Sequence, residues 1–189
     1  MAVWYLMRAS GVVSLVLLTV VLVLGIATRN RVRVGRAPAF VTAGIHRGVS
    51  LLSVVFLATH VATAVADPYA QVSLVATVVP FAGAAKGLWV GLGTVSLDLI
   101  AALVVTSLLR RHVGVRVWRL VHWTAYLCWP VAVFHTLGLG TDAGTTWLRA
   151  TTGACVALVA AAVTARVAGR TRGKRLEPPR RPVVARAAL

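Results

Sequence analysis

The sequence predicts an all-α integral membrane bundle of five transmembrane helices, with the N-terminus outside and the C-terminus cytoplasmic. Three observations carry that expectation. Of the 189 residues, 59% are hydrophobic and 13% charged, with a mean hydropathy of +0.85, whereas a soluble domain has about a quarter of its residues charged. Five apolar stretches match the roughly 20 residues a helix needs to cross about 30 Å of hydrocarbon. Twenty Lys and Arg against four Asp and Glu, net +16, lie in short blocks between those stretches. That pattern belongs to membrane topology rather than to nucleic-acid binding.

The first stretch covers 9–27. Arg8 before it is also compatible with a cleaved leader, but Arg29, Arg31, Arg33 and Arg36 follow the apolar run and no clear Ala-x-Ala site separates them. The second stretch, 45–66, stops at Asp67-Pro68. Residues 74–81 are apolar but too few to span, and Pro80 closes them, so an interfacial or re-entrant piece is expected there. The third stretch is 87–109, the fourth 120–139 and the fifth 147–168. Arg110, Arg111, Arg116 and Arg119 occupy the expected loop between the third and fourth, and the tail from Arg166 carries eight Lys and Arg. Only Arg8, Lys86 and Arg149 fall on the opposite side, and because bases stay cytoplasmic the second and fourth helices both run outward. Residues 1–168 therefore read as one membrane unit. Residues 169–189, with Pro178, Pro179 and Pro182, read as a disordered basic tail that favours anionic lipid.

Cys128 and Cys155 lie inside apolar runs, and no Cys-x-x-Cys-His motif is present to attach a haem covalently. No Gly-x-Gly-x-x-Gly, Walker loop, zinc-protease motif or serine triad occurs. A flavin or nicotinamide domain is not expected in this chain, nor is hydrolysis or phosphoryl transfer.

Four of the five histidines fall at span positions in two pairs. His46 and His60 are fourteen residues apart, about 1400° and 21 Å on a regular helix, so both rings face nearly one way at opposite membrane surfaces. His122 and His135 are thirteen apart, which a straight helix would set roughly 140° apart. Pro130 lies between them, and a kink there would bring both rings toward one neighbour. On parallel helices His46 meets His122 at the cytoplasmic level, and His60 meets His135 at the outer level. Paired neutral imidazoles suit both axial positions of a haem iron, which favours one-electron exchange. The competing reading is an interhelical hydrogen bond or a proton relay. His112 reads as a solvated loop residue.

The same residues resemble the ferric reductase-like transmembrane family, which includes the haem-binding core of NADPH oxidases, ferric-chelate reductases and the haem subunit of the bacterial methionine sulfoxide reductase system. The likeness is carried by the histidine spacing with His46-Arg47, by Asp67-Pro68-Tyr69 and by Ser107-Leu108-Leu109-Arg110-Arg111. Trp118-Arg119-x-x-His122-x-x-x-Tyr126 and Gly138-Leu139-Gly140-Thr141-Asp142 extend it, so that it covers 11–168. Family members commonly have six spans with the ligands on the third and fifth; here the first looks absent. The resemblance implies two non-covalent b-type haems, with His46 and His122 on the inner iron and His60 and His135 on the outer iron. It further implies a multi-pass protein of the cell membrane that passes electrons outward from a separate flavoprotein or quinol donor. The acceptor, ferric iron, oxygen or a partner reductase, is left open.

Arg47 and Arg119 lie a turn or less from the inner histidines, placed equally well for haem propionates or for positive-inside snorkelling. Trp129 reads either as a filler between porphyrins or as core packing. Asp98, midway along the third span, reads either as a hydrogen-bonded group or as a proton acceptor. Gly87-x-x-x-Gly91 resembles a close-packing face. Two other functions stay open: a small transporter or proton channel using Asp98 and the histidines, and an anchor whose tail recruits a partner.

Overall fold

The computed structural model describes residues 1–29, 39–82, 87–139 and 144–175. The described residues are helical, without strands, in the order α1 (Ala2–Arg29), α2 (Ala39–Ala66), α3 (Leu74–Val78), α4 (Gly87–Leu108), α5 (Arg110–Trp123), α6 (Ala125–Leu139) and α7 (Thr146–Arg175). Four of them, over Ala2–Thr28, Phe40–Ala66, Gly87–Leu108 and Thr146–Gly169, are long and apolar enough to cross a membrane. Of the expected inner-side bases, Arg31, Arg33 and Arg36 lie outside the described residues, as do Lys86, Asp142 and 176–189.

The fourth expected span, 120–139, is divided. The break falls at Thr124, six residues before Pro130, which sits inside α6. Thr124 turns tightly because both its N–H and its hydroxyl donate to the Val121 carbonyl, at 2.9 and 2.7 Å. The 15 residues of α6 alone give about 22 Å of rise, short of the hydrocarbon thickness.

The loop expected before this span is instead helical. α5 carries Arg110, Arg111, Arg116 and Arg119, all exposed. It bends at Gly114, whose φ of +75° is open to glycine and strained for other residues. Leu120 is 73% exposed, so a basic and an apolar surface share one short helix, as on segments lying at a membrane interface. α7 likewise stays helical to Arg175, beyond the expected end of its span. The short α3 forms where an interfacial piece is expected. Its Ser73 cap accepts from the Ala76 N–H at 3.1 Å, and Thr94 of α4 donates to the Ala76 carbonyl at 2.6 Å.

Packing follows two hairpins. α2 lies along α1, α6 lies along α4, and α1 also touches α6 and α7. No comparable packing joins α2 to α6 among the described residues, so a gap separates the hairpins along one side. The core cluster closes the other side, with Leu15, Leu22 and Ile26 of α1, Trp129 and Val133 of α6, and Cys155 and Val159 of α7. Trp129 belongs to this core. Its indole N–H donates to Thr19 Oγ1 at 2.9 Å, and Thr19 in turn donates to the Leu15 carbonyl at 2.8 Å. Outward, α2 exposes Ile45, Leu51, Leu52 and Val55, an apolar surface suited to lipid.

Thr19→Val leaves the Trp129 N–H buried without an acceptor, a loss of about 1–2 kcal/mol. Thermal unfolding in detergent is expected to show a lowered midpoint for Thr19→Val and a near wild-type one for Thr19→Ser.

Candidate functional site

The gap between the hairpins holds a cavity of about 360 Å³, within the range of cofactor sites. Its wall includes Met7, Gly11 and Leu15 of α1, His60 and Val61 of α2, Gly93 and Leu97 of α4, and His135 of α6. Residues 69–72, between α2 and α3, and Trp147 and Leu148 of α7 complete it. Two of the four expected histidines thus meet in one chamber from opposite hairpins.

Their rings stand 6.4 Å apart, centroid to centroid, with planes 83° apart. His60 Nδ1 lies 2.8 Å from the Met7 carbonyl, and His135 Nδ1 lies 2.8 Å from the Trp89 carbonyl. A carbonyl only accepts, so each Nδ1 carries the proton and donates it. In a neutral imidazole that leaves a bare lone pair on Nε2, the arrangement found where a histidine ligates a metal. Two imidazoles on opposite sides of one metal hold their centroids about 6.3–6.5 Å apart, taking the zinc–imidazole bond of about 2.0–2.1 Å as a guide. The observed separation is therefore the one that two imidazoles on one metal require. Among the described residues no group of three or more His, Cys, Asp or Glu gathers to hold a bare ion. A porphyrin supplies four nitrogens of its own, so two imidazoles are what it asks of a protein. The residues present fit that group.

The second pair is built differently. Nδ1 of His46 and Nδ1 of His122 are each buried without a hydrogen-bond partner. The Val21 backbone stands near His46 but makes no hydrogen bond of ordinary geometry to it. His122 stacks on Trp118 at 4.8 Å with planes 24° apart, and the Arg110 guanidinium covers that indole at 4.2 Å. Arg47 and Arg119 are exposed and do not line the cavity around His60 and His135.

Asp98 is exposed on α4. At 100° per residue it lies across the helix from Ser96 and Gly93, the residues that meet Cys128 and His135 of α6. It is not part of the cavity wall. The sequence did not mark the Met7 and Trp89 carbonyls, since a backbone acceptor leaves no trace in residue type. Arg8 counted there toward topology or a cleaved leader, yet it lines the chamber, with its guanidinium 4.0 Å from the Trp4 ring. A cation preceding an apolar run was the available signal.

A family model described as ferric reductase like transmembrane component matches residues 10–133, two thirds of the chain, including His46, His60 and His122. No curated protein and no solved structure matches.

Nitrogen-15 NMR of histidine-labelled, metal-free protein is expected to find the Nδ1–H tautomer at His60 and His135. Protonation at Nε2 of either ring would contradict the arrangement.

Proposed function

We propose that this chain, which belongs to the ferric reductase-like transmembrane family and is thereby a membrane electron-transfer component, is a di-haem b-type cytochrome. The observation that carries the reading is the 6.4 Å separation of His60 and His135, with each Nδ1 committed to a carbonyl. His60 and His135 would hold the outer haem, and His46 and His122 the inner one. When bound, such a haem would supply one-electron exchange. The chain's own part is to hold ring planes and tautomers, and to exclude water with the apolar wall of Leu15, Leu97 and Val61.

Five spans cross in this reading, N-terminus outside and C-terminus cytoplasmic, with the last turn of α5 crossing together with α6. The exposed bases of α5 support that orientation. Arg47 and Arg119 would face inner propionates or headgroups on the same side, and membrane lipid surrounds the rest. The donor is a separate flavoprotein or a quinol. The acceptor is extracytoplasmic: ferric iron, oxygen or a partner reductase.

The test is the visible spectrum of the purified, dithionite-reduced protein together with its haem content. Sharp bis-histidine bands and two haems per chain are expected, with His60→Ala falling toward one. A wild-type protein that takes up no haem when supply is ample overturns the proposal.

A further inference from the structure

We propose that Gly11 and Gly93 are positioning residues. Each forms, with the carbonyl four residues before it, a notch that seats one imidazole, commits its Nδ1 and leaves Nε2 for the metal. The inference rests on the histidine-pair reading above.

The two notches are built alike on different helices. Met7, whose carbonyl accepts from His60, precedes Gly11 by four residues, and Trp89, whose carbonyl accepts from His135, precedes Gly93 by four. One turn of helix places residue i+4 beside the carbonyl of residue i. A ring that bonds the carbonyl must therefore lie over that next turn, and a side chain there would occupy its place. A methyl added at Gly11 would fall 2.9 Å from both Cε1 and Nδ1 of His60, and one at Gly93 would fall 2.5 Å from Nδ1 of His135. Carbon approaches other heavy atoms at about 3.5–4.0 Å, so either methyl requires the ring to shift against its acceptor.

A third glycine, on α1, makes no such notch, since His46 Nδ1 has no hydrogen-bond partner. Gly25 lies four residues after Val21, and its methyl would meet His46 Cε1 at 3.5 Å, an ordinary contact. Gly11 and Gly25 are fourteen residues apart, as are His46 and His60 on the neighbouring α2. Gly91 and Gly138 are also crowded, but by Phe81 and Trp89, which ligate nothing; they provide the comparison for a purely packing role.

Haem content of the purified full-length chain tests this. Gly93→Ala is expected to fall from two haems toward one, Gly11→Ala to lose less, and Gly25→Ala to match wild type, as do Gly87→Ala and Gly153→Ala, which meet open space. Gly91→Ala is expected to lower the thermal midpoint with haem content unchanged. In His135→Ala, added imidazole should restore the outer haem, and there Gly93→Ala should have no further effect. Wild-type haem content in both Gly93→Ala and Gly11→Ala, or an equal loss from Gly93→Ala when imidazole replaces the His135 side chain, overturns the proposal. If the wild-type chain takes up no haem, the cytochrome reading fails separately. The notches are then read by nitrogen-15 NMR, in which loss of the His135 Nδ1–H in Gly93→Ala upholds them and its persistence refutes them.

Discussion

Two side chain-to-backbone hydrogen bonds, His60 to Met7 and His135 to Trp89, are the constraint on which the rest of the site depends. They cross from one helix to its neighbour inside each hairpin, so each imidazole is oriented by its own hairpin. In an apolar surrounding such a bond is stronger than in water, and losing it strands a polar atom. The rings are therefore fixed in plane and tautomer by backbone groups. The gap between hairpins then becomes a chamber lined by two oriented imidazoles rather than a packing defect. Its far side is closed by Trp129 and Thr19, which hold α6 against α1.

The asymmetry between the two histidine pairs is a property of the neighbouring helices. His60 and His135 each find a carbonyl within hydrogen-bond distance, whereas His46 and His122 keep buried Nδ1 atoms without partners. His122 is held instead by stacking on Trp118 beneath Arg110. A hydrogen-bonded imidazole is a more basic ligand than an unbonded one, so the two pairs offer different donors to whatever they bind.

Hydropathy made the all-helical membrane character legible, and fourteen-residue spacing brought out His46 and His60 as a same-face pair. The partner pair was harder to read. A straight helix through 120–139 sets His122 and His135 on different faces, and the sequence pointed to Pro130 for relief, while the chain breaks at Thr124. A threonine whose hydroxyl returns to its own helix is a weak signal beside a proline. The basic segment 110–119 looked like a loop because charge outweighed its alternating valines, yet an interface rewards that mixture with helix. Asp98 was judged by depth alone. Its place across α4 from the residues that meet α6 came from helix packing, which composition does not reveal. The glycines were visible as residues but not as seats, because their meaning lies in what approaches them.

The central claim is that one iron is shared by His60 and His135, and low-temperature electron paramagnetic resonance of the oxidised protein tests it most directly. Imidazole planes 83° apart predict a strongly anisotropic low-spin ferric signal that disappears in His135→Ala while any signal from the other pair persists. A high-spin axial spectrum from the wild-type protein, marking an iron with an open position, or a low-spin signal unchanged by His135→Ala, would contradict the account.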